Sequence, residues 1–270
     1  MKRAGVIGHP ISHSKSPLIH AHWLTENKIE GEYRAYDIAP ENLRDEVLRL
    51  RDTGLSGINV TLPHKQAIMD ICTTINDEAQ KIGAVNTVVF YPSGEIEGRN
   101  TDAYGFITNA KETYPDFQFG NSSALVLGAG GAARSVLYAL KREGVSDIRI
   151  SNRTIENAEE LAEEFGATVY DWDEKEKALK GAGLVVNTTS LGMSGKPHLR
   201  LDLSDLSPEA LVYDIVYAPL ITELLGGAQN KGCRIVTGIG MLLHQARPAF
   251  QAFYGTLPEV TDALRGKVLR

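Results

Sequence analysis

Short apolar segments rich in β-branched residues alternate with amphipathic segments along nearly the whole chain, and this alternation restricts the possible folds more than any other feature. In the first part, AGVIG precedes SPLIHAHWLTENK, EYRAYDI precedes PENLRDEVLRLRDTG, and GINVT precedes KQAIMDIC. Strands that alternate with helical segments predict βαβ units and therefore a sheet of mostly parallel strands. The predicted fold class is α/β.

One hairpin interrupts the alternation. AVNTVVFYPSGEIEGRNTDA predicts two strands joined by a Ser-Gly turn, which would end the first sheet. A second alternation then begins at SALVLG, and its last strand, RIVTG, leads into MLLHQARPAFQAFYG. The 270 residues therefore predict two α/β domains flanking a cleft, with a boundary near Asp102. The second is expected to be a Rossmann-type doubly wound parallel sheet.

Composition narrows the class of partner. A net charge of -6 disfavours nucleic acid and anionic membrane surfaces, so the expected ligand is a small molecule. Cys72 and Cys233 lie far apart without a CxxC motif, which predicts reduced core thiols. No apolar stretch approaches the length of a membrane span, and the first residues lack a signal-peptide pattern, so we expect a cytoplasmic protein.

A glycine-rich turn opens the second alternation. Gly128, Gly130 and Ala133 have the GxGxxA spacing, after a predicted strand and before a predicted helix. In such a turn the first glycine permits the bend, the second admits a pyrophosphate, and the helix start supplies N–H donors. This context favours dinucleotide binding over a purely structural turn.

The end of the next strand indicates which dinucleotide. NAD enzymes usually place an acid here to accept from the ribose 2'-hydroxyl, whereas a 2'-phosphate requires a cation. The chain has Asn152, Arg153 and Thr154, and no acid until Glu156. NADP is therefore favoured over NAD, with a plain surface arginine as the alternative.

The loop GHPISHSKSP allows two interpretations. Ser16 followed by Pro17 is typical of a helix start with a serine N-cap. That leaves Gly8, His13 and Ser14 without a role, and loops at strand ends often bind ligands. Both interpretations stay open on these residues alone.

A lysine, an amide and a carboxylate follow predicted strands in the first block. Lys65 comes after GINVT, Asn86 lies in GAVNT, and Asp102 lies in GRNTD. Together, an ammonium and a carboxylate could act on one reacting oxygen as acid and base. The alternatives are an exposed lysine and an aspartate that only caps a helix.

Two other features receive no functional role. His20 and His22 are two apart on a predicted helix and point to different faces, so no metal site is expected. DWDEKEKALKG is interpreted as a solvated helix face.

Taken together, the motifs resemble the shikimate dehydrogenase family over the full length and in order. The matching segments are GHPISHSKSP, NVTLPHK, GAVNT, GRNTDAYGF, GAGGAAR, NRT, NTTSLGM, YDIVYAPLITELL and GIGMLLHQA. The resemblance implies reversible, NADPH-dependent reduction of the ring ketone of 3-dehydroshikimate to shikimate, in the route to chorismate and aromatic amino acids. It also implies a discontinuous substrate domain, residues 1–102 with 240–270, and an NADP-binding domain, residues 103–239.

The resemblance further implies roles for individual residues. Lys65 would be the catalytic acid/base and Asp102 its partner. The substrate carboxylate would be held by Ser14, Ser16, Thr61 and Tyr217, and the ring hydroxyls by Asn86, Asp102 and Gln245. Cofactor contacts would come from Asp77, Gly128, Ala129, Gly130, Gly131, Ala132, Asn152, Arg153, Thr154, Thr189, Ile215, Gly238 and Met241.

Two departures from the family pattern stand out. Asn157 occupies the position of a frequent second arginine in NRTxxR, which weakens the expected preference for NADP. Ala21 follows His20 where the family often has asparagine. The alternatives are therefore a quinate/shikimate dehydrogenase that uses NAD as well as NADP and, less favoured because Lys65 and Asp102 are both present, a non-catalytic ligand sensor. The sequence leaves a monomer and a homodimer equally open.

Overall fold

The computed structural model describes residues 1–270, which form two compact units. Unit 1 comprises Met1–Asp102 and Leu243–Arg270, and unit 2 comprises Ala103–Leu242. Each unit contains one sheet of six strands together with helices. The predicted α/β class is confirmed.

Unit 1 begins with the predicted alternation and then adds the hairpin. Its elements are β1 (Lys2–Gly8), α1 (Ser16–Glu26), β2 (Gly31–Asp37), α2 (Leu43–Asp52), β3 (Gly57–Val60), β4 (Thr74–Ile75), α3 (Asp77–Ile82), β5 (Thr87–Phe90), β6 (Ile96–Arg99) and α9 (Asp262–Val268). The sheet order is β2-β1-β3-β5-β6-β4. Strands β1, β2 and β3 run parallel, and β5 is antiparallel to both β3 and β6.

The hairpin does not end this sheet, contrary to the sequence-based expectation. The short strand β4 pairs with β6 and forms the edge. Only two residues, Thr74 and Ile75, make up this strand, which is too short for a two-residue period to be visible in the sequence. KQAIMDIC, predicted as helical, contains a 3-10 turn over Ala67–Ile71.

Unit 2 contains the second alternation. Its elements are β7 (Ala124–Leu127), α5 (Gly131–Arg142), β8 (Ile148–Ser151), α6 (Ile155–Phe165), β9 (Thr168–Tyr170), β10 (Leu184–Asn187), β11 (Leu211–Asp214), α7 (Glu223–Asn230) and β12 (Arg234–Val236). Helices α4 (Asp102–Thr113) and α8 (Gly238–Tyr254) contribute residues to both units.

The sheet of unit 2 has the order β12-β11-β10-β7-β8-β9, and all of its strand pairs are parallel. Counted from β7, this is the 3-2-1-4-5-6 order of the doubly wound dinucleotide-binding fold. The predicted Rossmann-type sheet is confirmed, although β9 was not among the predicted strands. The central strands β7, β10 and β11 are buried at every position, as parallel strands covered on both faces should be.

Two local features are more specific in the structure than in the sequence-based interpretation. Lys15, and not Ser16, occupies the N-cap position of α1, and Ser14 Oγ accepts from the backbone N–H of Ser16 at 3.3 Å. DWDEKEKALKG forms a 3-10 helix over Trp172–Leu179, in which Ala178 and Leu179 are buried in the core of unit 2. Those apolar residues hold the segment against the domain, while Asp173, Glu174 and Lys177 are exposed and form the predicted solvated face.

An aromatic cluster in unit 1 contains a buried histidine. The His20 ring stacks on Tyr33 with the centroids 3.8 Å apart and also lies beside Trp23 and Phe250. Neither ring nitrogen has a hydrogen-bond partner. Burial lowers the pKa of His20 from 6.5 to about 3, so the folded protein holds this ring neutral.

Acid should therefore destabilise the protein through His20. The unfolded chain protonates this histidine near pH 6.5 and the folded chain does not. Stability consequently falls as pH drops from 6.5 toward 3, by about 1.4 kcal/mol per pH unit. His20→Phe removes the titrating group, so the wild type should lose about 2 to 3 kcal/mol more than the variant between pH 7 and pH 4.5. Urea unfolding at both pH values measures this difference.

His198→Asn is the control, because the His198 side chain is 63% exposed. This variant should keep the acid sensitivity of the wild type. Equal losses of stability in His20→Phe and the wild type would contradict the assignment.

Candidate functional site

A lysine and a carboxylate meet in unit 1 at the ends of separate elements. Lys65 lies in the loop that leaves β3, and Asp102 is the first residue of α4. Lys65 Nζ donates to Asp102 Oδ2 at 2.5 Å, and the two side chains are only 14% and 8% exposed. Because its carboxylate is engaged by Lys65, Asp102 does more than begin a helix. The pair can supply and take up a proton at one position.

Asn86 fixes the carboxylate of this pair from the other side. Its Nδ2 donates to Asp102 Oδ1 at 2.8 Å, while its Oδ1 accepts from the backbone N–H of Thr101 at 2.9 Å. Gln245 Oε1 lies 3.4 Å from the same Nδ2. The structure therefore brings together four residues predicted from separate motifs: Lys65, Asn86, Asp102 and Gln245.

A hydrogen-bond chain leads from Tyr33 to this cluster. The Tyr33 phenol donates to Asn59 Oδ1 at 2.7 Å. Asn59 Nδ2 in turn donates to the backbone oxygen of Asn86 at 3.3 Å. Burial raises the pKa of Tyr33 well above its ordinary value, so the phenol remains a donor. Tyr33 thereby helps to orient Asn59 relative to Asn86.

Backbone contacts bring the loops after β1 and β3 together. The N–H of Thr61 donates to Ile7 O at 3.0 Å, and that of His9 donates to Leu62 O at 3.0 Å. Ser14 is half-buried in the first of these loops, and Thr61 is half-buried in the second. The predicted residues Ser14 and Thr61 therefore lie in two neighbouring loops of unit 1, and Ser16 follows as the first residue of α1.

The glycine-rich turn of unit 2 fits a dinucleotide. Gly128 has φ +107°, and a Cβ there would lie 2.6 Å from Thr188 Oγ1. Gly130 is the N-cap of α5, and a Cβ added to it would enter open space. No side chain caps α5, so its first N–H groups remain available to a pyrophosphate. Ala129, Gly131 and Ala132 continue this turn into the first turn of the helix.

Two of the three residues predicted for the 2'-phosphate, Asn152 and Arg153, border a cavity of about 340 Å³. Asp171, Trp172, Asp173 and Glu174 also line it, whereas Thr154 does not. Asn152 Nδ2 donates to Thr154 O at 2.7 Å, which holds the short segment after β8 in a turn. The Arg153 side chain is exposed in that turn. One cation and three acids therefore border the same space.

The remaining predicted residues lie at other positions in the two units. Thr189, Ile215, Tyr217, Gly238 and Met241 belong to unit 2, and Asp77 begins α3 in unit 1. Gly238 lies against Ile215, where a Cβ would come within 2.2 Å of the carbonyl oxygen. Burial raises the pKa of Tyr217.

Sequence reasoning missed several residues that support the site. Tyr33 was not singled out, and neither were Asn187 and Asp214, which end the strands β10 and β11. The available signal was a polar residue at the last position of an apolar strand, in LVVN and in LVYD. We also find no group of three or more His, Cys, Asp or Glu positioned for a metal ion, and no helix long and apolar enough to cross a membrane.

Comparison with known proteins identifies the family. Residues 6–88 match the model of the shikimate dehydrogenase substrate binding domain, and residues 109–195 match that of shikimate / quinate 5-dehydrogenase. A protein named shikimate dehydrogenase (NADP(+)) from Paracoccus denitrificans is 47% identical, over 98% of this chain and 95% of its own length. The chain belongs to the shikimate dehydrogenase family.

Solved structures agree with this membership. Shikimate 5-dehydrogenase from Thermus thermophilus, in complex with NADP(H) and shikimate, superimposes with a TM-score of 0.88 at 38% identity, over 99% of this chain and 97% of that one. Quinate dehydrogenase from Corynebacterium glutamicum, in complex with NAD, gives a TM-score of 0.91 at 31% identity, over 99% and 98%. The fold alone therefore does not separate the two substrate and cofactor classes.

The open space at Gly130 leads to a prediction for cofactor binding. Gly130→Ala should fold normally, because the φ of -94° suits any residue and the new methyl group contacts nothing. The methyl group should nevertheless obstruct a pyrophosphate, and weaken NADP+ binding by about tenfold or more. Calorimetric titration with NADP+ and thermal melting measure the two quantities.

Gly226→Ala in α7 is the matched control, since a Cβ there would lie 3.9 Å from Ile221, which is an ordinary van der Waals contact. It should leave NADP+ affinity unchanged. Unaltered affinity in Gly130→Ala would remove this turn from the pyrophosphate site.

Proposed function

We propose that this chain catalyses the reversible reduction of 3-dehydroshikimate to shikimate with NADPH, in the route to chorismate. The observation that carries the proposal is the Lys65–Asp102 pair at 2.5 Å, buried in unit 1 and held by Asn86. The enzyme class and the cofactor are confirmed, because close relatives are named NADP(+)-dependent shikimate dehydrogenases. The roles of individual residues are proposed below.

Lys65 is the acid/base in this mechanism. NADPH supplies the hydride that reduces the substrate ketone. As negative charge develops on the ketone oxygen, Lys65 delivers a proton from Nζ, and it recovers a proton from the alcohol in the reverse direction. Asp102 orients the lysine through Oδ2 and receives Asn86 at Oδ1, so the pair holds its position before substrate arrives.

Other polar groups would fix the orientation of the substrate. Ser14, Ser16 and Thr61 would offer hydroxyl groups to its carboxylate, and Tyr217 is proposed as a further contact of that group. Asn86 and Gln245 would bind ring hydroxyls beside the acid/base pair, since both lie within reach of Asp102 or its amide partner. Orientation of this kind supplies much of the rate enhancement when two reactants must meet in one geometry.

Cofactor binding would fall to unit 2, with one further contact from unit 1. The turn from Gly128 to Ala132 would hold the pyrophosphate, and Asn152 to Thr154 the adenosine 2'-phosphate. Thr189, Ile215, Gly238 and Met241 would surround the nicotinamide, and Asp77 is proposed as a further cofactor contact. On this basis residues 1–102 with 240–270 bind substrate and residues 103–239 bind NADP.

One observation favours a second candidate, a quinate/shikimate dehydrogenase that uses both NAD and NADP. Asn157 leaves the 2'-phosphate site with one arginine of the family pair, and Asp171 and Asp173 border the same cavity.

We propose a cytoplasmic monomer or homodimer with small-molecule ligands and without nucleic acid or membrane partners.

Steady-state kinetics test the proposal directly. NADPH formation from shikimate should exceed NADH formation from shikimate and from quinate, when each is compared as kcat/KM. Equal or greater kcat/KM with NAD and quinate would favour the second candidate. Absence of turnover with all four combinations, together with retained shikimate binding, would favour a ligand sensor.

Removal of the acid/base should reduce turnover far more than substrate affinity. Lys65→Ala deletes the proton donor and leaves the serine loop and Asn86 in place, so kcat should fall about 100- to 10,000-fold while KM for shikimate changes little. Measurement of both constants at saturating NADP+ checks this.

Lys81→Ala serves as the control, because Lys81 is an exposed lysine of the same unit on α3. Its kinetic constants should match those of the wild type. Near-normal kcat in Lys65→Ala would exclude Lys65 as the acid/base.

A further inference from the structure

A buried carboxylate at the end of β11 connects three segments of unit 2. Asp214 has no exposed surface. Its Oδ1 accepts from Asn187 Nδ2 at 2.9 Å and from the backbone N–H of Val216 at 3.0 Å. Its Oδ2 accepts from the Thr222 hydroxyl at 2.6 Å. Every contact of the carboxylate is thus with a hydrogen-bond donor in a different segment.

Asn187 connects Asp214 by hydrogen bonds to the loop that follows β10. Its Oδ1 accepts from both the backbone N–H of Thr189, at 3.0 Å, and the Thr189 hydroxyl, at 2.7 Å. The Thr189 oxygen then accepts from the backbone N–H of Leu191 at 3.0 Å. The direction and rotamer of the Thr189 side chain therefore depend on the Asn187 amide.

The orientation of that amide depends on Asp214. An amide group can rotate by half a turn and exchange its oxygen with its nitrogen. Asp214 is an acceptor at both oxygens when ionised, so it receives Nδ2 and directs Oδ1 of Asn187 toward Thr189. The parallel pairing of β10 with β11 places these two residues directly opposite each other.

The burial of the Asp214 carboxylate costs free energy, and packing alone does not explain why the protein bears this cost. Burial of a carboxylate without a cationic partner disfavours its charge, and no ion pair compensates Asp214. Burial accordingly raises the pKa of Asp214, although the hydrogen bonds from Thr222, Val216 and Asn187 lower it. An uncharged side chain of the same size would avoid that cost if packing were the only requirement.

Its location indicates the function. Ligands of open parallel sheets bind beyond the carboxyl ends of the strands, which is where both residues lie. The segment held through Val216 includes Ile215 and leads to Tyr217, and the segment held through Asn187 includes Thr189. We infer that Asp214 and Asn187 are positioning residues, which hold the two loops that bound the nicotinamide in the conformation needed for hydride transfer. This inference rests on the proposed function.

The test compares two ligands that share the adenosine end of the cofactor. NADP+ carries the nicotinamide, whereas adenosine 2',5'-bisphosphate does not. Asp214→Asn and Asn187→Ala should each weaken NADP+ binding or reduce kcat by about 10- to 100-fold, the size expected when a reacting group is misplaced by about 1 Å. Affinity for adenosine 2',5'-bisphosphate should stay within about twofold in calorimetric titrations.

Thr222→Val is the matched control. It removes the third hydrogen bond to the carboxylate and the N-cap of α7, where Thr222 Oγ1 accepts from Leu225 N at 3.3 Å. This variant should melt at a lower temperature and still bind NADP+ with the affinity of the wild type. In a double-mutant cycle, the effects of Asp214→Asn and Asn187→Ala on NADP+ should be less than additive, because one residue acts through the other.

Three results would overturn the inference. The first is NADP+ affinity and kcat at the wild-type level in Asn187→Ala, and the second is an equal loss of affinity for NADP+ and for adenosine 2',5'-bisphosphate in that variant. The third is a loss of NADP+ affinity in Thr222→Val as large as that in Asn187→Ala. If Asp214→Asn fails to fold, the measurements on Asn187→Ala alone test the inference. Failure of the wild-type protein to bind NADP+ would instead overturn the proposed function, so the two outcomes are distinguishable.

Discussion

Strands that are buried on both faces admit a polar side chain only where it finds a hydrogen-bond partner, and this constraint determines where polar residues lie in both units. The parallel strands β7, β10 and β11 of unit 2 are buried at every position, as are β3 and the antiparallel β5 of unit 1, and the Asn59 side chain within β3 is paired with Tyr33 and Thr87. A polar group within such a strand would need a partner in the core. Most of the proposed site residues accordingly lie in the loops just beyond strands, or at the starts of helices.

The same side-chain arrangement recurs in both units. Asn86 donates from Nδ2 to Asp102 and accepts at Oδ1 from Thr101. Asn187 donates from Nδ2 to Asp214 and accepts at Oδ1 from Thr189. In each case an aspartate accepts and thereby determines which way the amide faces, because a carboxylate cannot donate when ionised. The amide then fixes a backbone segment at the proposed binding site.

The two aspartates differ in their hydrogen-bond donors and in their exposure. Asp102 accepts from Lys65 Nζ in an ion pair, which the proposed mechanism uses for proton transfer. Asp214 receives only neutral donors and is fully buried, which suits a residue that holds loops in place and does not react. The chemical role of each carboxylate thus follows from its partners and its exposure.

Much of this could be predicted from the sequence because the signals are local. The alternation of strands and helices determined the α/β class, GxGxxA determined the dinucleotide turn, and ordered motifs determined the family. Other features depended on residues distant in the chain. The edge strand β4 is two residues long and forms only because β6 offers a free edge. The Ser14 hydroxyl accepts from the Ser16 N–H at the start of α1, which decides between interpretations of this loop that the sequence left open. The hydrogen bond from Tyr33 to Asn59 joins side chains 26 positions apart. Likewise, only the pairing of β10 with β11 brings Asn187 to Asp214, since hydrogen bonds between distant residues exist only after the chain has folded.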